Sequence, residues 1–230
     1  KRMVEAGIDP KSMLNITFTK AAADEMAARF RKVSGSDVQF STIHAFCFYV
    51  LRMEYGYTYN NLLKESQKYT FVMKEVGKHV AAEDVQNITK NIVSEISFIK
   101  NKQISAAEFS KYSCRRDIFT DIYNLYEKYK LTSSKIDFDD MLIICRDKFK
   151  SDPTTLKKMQ DRFKYITIDE YQDTNTIQAE IFYMLSGGNG NIYVVGDDDQ
   201  SIYAFRAADS QIMLDFPKHF PKCKKIELSM

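Results

Sequence analysis

Residues 165–174 read YITIDEYQDT: a short run of aromatic and β-branched residues ends in two adjacent carboxylates, Asp169 and Glu170, and gives way to the helical spacing of Ile177, Ile181, Met184 and Leu185. A run that is apolar on both faces and is followed by helix periodicity is the pattern of a strand in a parallel sheet covered by helices. Four other runs share the β-rich character: LNITFT (14–19), VQFST (38–42), NIYVVGD (191–197) and KKIELS (224–229). The expected fold is therefore α/β, a parallel sheet flanked by helices. From about residue 57 to 135 the strand runs stop. Apolar residues recur there at three and four, as in Tyr69, Val72, Met73 and Val76, and again in Ile118, Ile122, Leu125 and Tyr129. That spacing predicts an all-α insertion at 57–135, leaving 1–56 and 136–230 to the sheet-bearing part.

Composition agrees with a folded chain. Across 230 residues, 44% are hydrophobic and 28% charged, which disfavours disorder, and only 8 Gly and 4 Pro disfavour an all-β sandwich. No stretch approaches the ~20 apolar residues of a membrane span, and the start KRMVEAGIDPKSM lacks the apolar centre of a signal peptide. We expect a cytoplasmic protein with no membrane partner. Thirty-three basic against 31 acidic side chains leave a net charge of +2, so the distribution of charge matters more than its total. Cys47, Cys114, Cys145 and Cys223 form no C-x-x-C pair, which argues against a zinc site and against a disulfide framework.

Acids at the carboxyl end of a parallel strand lie where open α/β sheets bind ligands. Asp169 there suits Mg²⁺, and Glu170 suits a base that orients and deprotonates a water attacking a phosphoryl group. The alternative is that the pair caps the following helix. About twenty residues on, a second strand ends in GDDDQSIYAFR (196–206), with Gly196 fitting a tight turn. Asp197 and the amide of Gln200 would stand beside the same site, the amide sensing a γ-phosphate without adding charge. Tyr203, Phe205 and Arg206 follow closely, so one element spans from nucleotide to nucleic-acid base, unless the rings are simply core. Residues 97–116 carry Lys100, Lys102, Lys111, Arg115 and Arg116 against Glu108 alone, interleaved with Phe98, Phe109 and Tyr112. Cations and rings in that mixture suit a nucleic-acid strand; the alternative is a solvated helix face.

In order along the chain, ITFTKAAADEM (16–26), FSTIHAFCFYVLR (40–52), ISFIKNKQIS, FDDML (138–142), DEYQDTN and VVGDDDQSIYAFRAAD resemble motifs of the first motor domain of superfamily 1 DNA helicases of the UvrD, Rep and PcrA type. The resemblance covers nearly the whole chain. It implies a P-loop NTPase (RecA-like) sheet with the helical part as a 1B-like subdomain, and ATP and Mg²⁺ as cofactors. It further implies that Asp169 and Glu170 serve Mg²⁺ and the hydrolytic water, and that Gln200 senses the γ-phosphate. Phe18, Thr19, Lys20, His44, Lys100, Asn101, Tyr203, Phe205 and Arg206 would face single-stranded DNA, with His44 alternatively a buried structural histidine. Single-stranded DNA, its junctions with duplex, and the remaining helicase domains are the implied partners. Three departures stand out: Phe205 where tryptophan is common, Ala207 where glycine is usual, and TFTKAAA where TFTNKAA is frequent.

No G-x-x-x-x-G-K-[ST] occurs. We therefore expect a piece of a longer helicase, truncated at both ends, unable to hydrolyse ATP by itself and with exposed sheet edges. A non-catalytic DNA-binding scaffold of helicase shape is the alternative. A third possibility is a metal-dependent phosphohydrolase built on Asp169, Glu170, Asp197 and Asp199.

Overall fold

The computed structural model of the chain describes residues 1–106, 108–187, 191–197 and 211–227. In chain order its elements are α1 (Arg2–Glu5), β1 (Met13–Thr17), α2 (Lys20–Ser34), β2 (Gln39–Thr42), α3 (Ile43–Tyr55), α4 (Glu65–Val76), α5 (Val85–Lys102) and α6 (Arg116–Thr132). There follow α7 (Phe138–Ser151), α8 (Pro153–Arg162), β3 (Tyr165–Ile168), α9 (Thr176–Ser186), β4 (Ile192–Val194), α10 (Gln211–Leu214) and α11 (Phe216–His219). No helix among the described residues is long and apolar enough to cross a membrane.

The chain divides into two compact units, one containing Lys1–Phe46 and the chain from Arg146 onward, the other Cys47–Cys145. The division falls inside α3 and α7, about ten residues outside the expected boundaries on each side. In the first unit four strands form one all-parallel sheet in the order β2-β1-β3-β4. Leu14, Ile16, Ile166 and Ile168 of its central strands share one face and are almost fully buried, and Met13 and Thr17 are buried on the other face, as a sheet covered on both sides requires. Because every strand runs the same way, all four carboxyl ends lie along one edge of the sheet. β4 ends the sheet among the described residues, with Tyr193 and Val195 exposed. Of the run at 224–229 the described part, residues 224–227, forms no strand, and Ile226 is 73% exposed; residues 228 and 229 lie outside the described residues.

The second unit is helical, as expected. Val72 and Val76 of α4, Ile92, Ile96 and Ile99 of α5, and Phe119, Ile122 and Tyr126 of α6 form its core. The buried face of α6 is rotated from the expected one. Phe119, Ile122, Tyr126 and Lys130 point inward while Leu125 stays exposed, since the longer rings fill more of the inter-helix space than the aliphatics beside them. Cys47 and Cys145 are buried free thiols, Cys114 is half-buried and Cys223 exposed, with no disulfide among them.

Candidate active site

The carboxyl edge of the sheet gathers the motif residues. Ile16 of β1 pairs with Ile168 of β3, and the Asp169 amide donates to the Ile16 carbonyl at 2.9 Å, so Phe18 and Thr19 begin beside the acids. Thr17 of β1 pairs with Thr42 of β2, whose strand runs directly into α3 and its His44. Val195 donates to the Ile168 carbonyl and Tyr171 to the Val195 carbonyl, each at 2.9 Å, which sets the end of β4 against the acids on their other side.

Asp169 is half-buried, and its carboxyl lies above the usual carboxylate range because burial penalises the ion and the Glu170 charge adds to it. Glu170 is exposed and takes a left-handed backbone, φ 52°, an uncommon conformation for a residue with a Cβ. The pair does not cap the helix that follows. Asn175 does that, accepting from the Gln178 amide at 3.0 Å while Gln178 Oε1 accepts from the Asn175 amide at 3.1 Å. Between acids and helix lies one tight turn, Tyr171–Asp173, whose three side chains are buried. Tyr171 anchors it, its hydroxyl donating to that of Tyr183 at 3.2 Å and its ring edge-on to Phe216.

Two residues of this turn belong to the site and were not singled out from the sequence. Gln172 bonds both the Glu170 carboxylate and the Asp197 amide. Asp173 is 9% exposed, its Oδ1 has no hydrogen-bond partner among the described residues, and burial followed by the Glu170 charge raises its carboxyl. The spacing of the DEYQD segment was the available signal, but only folding reveals which way each side chain turns. Gly196 is also needed for a reason other than the expected turn. Its φ is not positive, yet a Cβ there would lie 2.5 Å from Gln172 Oε1 and 3.2 Å from the Gln172 amide nitrogen.

Of the other expected site residues, Thr19 caps α2 by accepting from the Ala22 amide at 3.1 Å, Lys20 is exposed at the first position of that helix, and Phe18 is half-buried. His44 is half-buried rather than enclosed, in the first turn of α3. Asp199, Gln200, Tyr203, Phe205, Arg206 and Ala207 lie outside the described residues.

Lys100 and Asn101 are placed against expectation. Lys100 is 7% exposed and its ammonium lies 2.9 Å from both carboxylate oxygens of Asp137 and 2.5 Å from Asp140. Asn101, 5% exposed, donates to Asp139 at 2.7 Å and to the Ser97 carbonyl at 2.8 Å. Lys68 and Lys130 complete this buried ion network, which leaves neither residue turned to a phosphate. The rings of the same stretch are equally committed, Phe109 packing on Phe98, Tyr112 and Phe119. Lys111, Arg115 and Arg116 remain exposed, Arg115 paired with Asp117.

Among the described residues no three His, Cys, Asp or Glu side chains come close enough to make an all-protein metal cage. That speaks against the four-carboxylate cluster, although Asp199 falls outside the described residues. It fits Mg²⁺, which takes one or two carboxylates and fills its remaining positions with water and substrate phosphate. An acid held partly out of water beside a second acid, as Asp169 is, gains from such a cation.

Residues 1–221 match the family described as UvrD/REP helicase N-terminal domain. The chain is 34% identical over 234 residues to the ATP-dependent DNA helicase PcrA of Bacillus subtilis (strain 168), covering 98% of this chain and 32% of that protein. It is 32% identical over 232 residues to the proteins of the same name from Staphylococcus epidermidis (strain ATCC 12228 / FDA PCI 1200) and Staphylococcus aureus (strain COL), covering 97% of this chain and 32% of each. The chain thus spans about a third of the length of these relatives.

Proposed function

The chain belongs to the UvrD/REP helicase N-terminal domain family, and from that premise we propose that the whole protein is an ATP-dependent DNA helicase in which this chain supplies part of the ATP site and part of the DNA track. The observation that carries the proposal is the joining of the β3 and β4 ends, Glu170 to Asp197 through Gln172, on the sheet edge that also bears Phe18, Thr19 and His44.

In this proposal Asp169 holds Mg²⁺, which supplies charge neutralisation on the nucleotide phosphates when bound. Glu170, exposed at the edge, orients the attacking water and takes its proton. Gln200 senses the γ-phosphate. The start of α2 faces the phosphates of single-stranded DNA: the Thr19 hydroxyl accepts from the Ala22 amide and can still donate its own proton, Lys20 is exposed at the helix N-terminus, and His44 and Phe18 lie on the same edge. Tyr203 and Phe205 stack on bases and Arg206 meets the backbone, each stacked base contributing about 1–3 kcal/mol without regard to sequence. The sheet unit corresponds to domain 1A and the helical unit to 1B, acting with the other helicase domains at junctions of single and double strands in the cytoplasm.

The test is ATP turnover by the whole protein with and without single-stranded DNA. Glu170→Gln should lower stimulated turnover by about 10²- to 10⁴-fold while nucleotide binding is retained. Unchanged turnover would overturn the role of Glu170, whereas a wild-type protein with no turnover in the presence of single-stranded DNA would favour the non-catalytic scaffold.

A further inference from the structure

One side chain joins the ends of β3 and β4. Gln172 is 1% exposed, its Nε2 donates to Glu170 Oε2 at 2.7 Å, and its Oε1 accepts from the Asp197 amide at 3.0 Å. The partners fix which way the amide points. A backbone N–H only donates, so Oε1 must face Asp197, and Nε2 is left for the carboxylate. Neither end has slack. A Cβ on residue 196 would meet Gln172 Oε1 at 2.5 Å and the Gln172 amide nitrogen at 3.2 Å, so a side chain there would push the Gln172 amide off its present position, and the left-handed backbone at Glu170 is held by the turn that follows it. The chain then runs from Asp197 into residues 200–206, which the proposal above assigns to the γ-phosphate and the DNA.

We propose that Gln172 is a positioning residue that yokes the Glu170 carboxylate to Asp197, so that movement of the β4 end under nucleic acid changes where Glu170 points. The inference rests on Glu170 being the base. Its chemistry is a charge-assisted hydrogen bond from a neutral, buried amide, which orients the carboxylate without supplying a counter-charge. A salt bridge at the same position would pull the carboxylate away from the water it must reach.

The experiment measures DNA-stimulated ATP turnover of the whole protein carrying Gln172→Met or Gln172→Glu, with Glu170→Gln in parallel. Gln172→Met should lower kcat about 10- to 100-fold with the KM for ATP within about twofold, the signature of a misdirected catalytic group. Gln172→Glu keeps the acceptor for the Asp197 amide but sets a second carboxylate against Glu170. Its kcat should be low near about pH 8 and recover toward about pH 6, where the new carboxyl is protonated and donates as the amide did. A merely structural role would not produce that acid recovery. The inference is overturned if both Gln172 variants keep the wild-type kcat and pH profile while Glu170→Gln is inactive. It is equally overturned if only KM changes. Full turnover in Glu170→Gln would instead overturn the reading on which it rests.

Discussion

Lys100→Met separates two fates of the basic stretch in the helical unit. Burial alone would lower the Lys100 pKa, but the charges of Asp137 and Asp140 hold it well above its ordinary value. Methionine keeps most of the side-chain volume and removes the charge. Asp137, 1% exposed, would then retain Lys130 at 3.2 Å, the Tyr126 hydroxyl at 2.8 Å and the Asp140 amide at 2.8 Å, with only the more distant charge of Lys68 in place of the second ammonium. Removing one partner of a buried pair costs about 3–5 kcal/mol, and in a chain of this size each kcal/mol moves the melting temperature by about 2–4 °C, so a fall of about 6–20 °C is expected. Asp137→Asn should fall comparably, and the double variant by less than the sum, because the second change removes the charge that the first left stranded. Circular dichroism at neutral pH reads the stability, and a salt titration of single-strand affinity reads the contact. A phosphate-binding Lys100 would leave stability within about 0.5 kcal/mol and flatten the log affinity against log salt slope by about 0.7. That pair of results would refute the structural role. Acid gives a further check. Burial alone would raise the Asp137 carboxyl, but Lys100, Lys130 and Lys68 hold it far below its ordinary value. Its contribution is therefore complete above the unfolded value near about pH 4 and is lost as the pH falls through the folded one, a loss that Asp137→Asn should not show.

Asp173 should behave in the opposite sense. A carboxyl raised on folding favours the folded state only at low pH and opposes it once the pH rises through the folded value, so Asp173→Asn should raise the melting temperature at pH 7 by about 1–3 °C and give no gain near pH 4; destabilisation at pH 7 would count against an unpartnered acid. Gly196→Ala should cost about 1–3 kcal/mol in urea unfolding, since the Gln172 side chain and backbone both stand in the way, and Gln172→Ala should recover part of it. A loss under about 0.5 kcal/mol would mean that the β4 end moves freely.

Much of the sheet was legible because its signal is local. Leu14, Ile16, Ile166 and Ile168 alternate with small or polar residues in runs too short for helices, and each run ends in turn or cap chemistry. Residues 224–227 form no strand despite their β-rich sequence, because propensity cannot tell whether a partner strand exists. The phase of α6 failed because Leu125 and Tyr126 satisfy the same spacing, and only the neighbouring helices decide which is enclosed. Lys100 was misread for a related reason: a count of charges over twenty residues cannot see carboxylates that lie 37 and 40 residues further along the chain. Gln172 was invisible in the same way, its second partner standing 25 residues away past the end of another strand.

Two pairs of adjacent acids show how environment sorts residues that sequence cannot. Asp139–Asp140 and Asp169–Glu170 each open a turn or helix and each looks like a capping pair. Asp139 lies below its usual range although burial pushes it up, because Lys68 and Lys100 outweigh that penalty, and Asn101 and Ser97 donate to its oxygens. Asp169 lies above its usual range because burial and the charge of Glu170 outweigh a hydrogen bond from the Glu170 amide, with no cation among the described residues in the balance. An acid whose ion is already matched gains nothing from a ligand, and its loss is felt as instability. An acid whose ion is unmatched is a standing cost to the fold, one that a bound cation would relieve, and such uncompensated groups concentrate where binding or catalysis occurs. Lysines meet Asp137 and Asp139 of the helical unit, whereas among the described residues none meets Asp169 or Asp173 in the balance that sets their ionisation, so the β3 end is a site with charge left to offer a ligand.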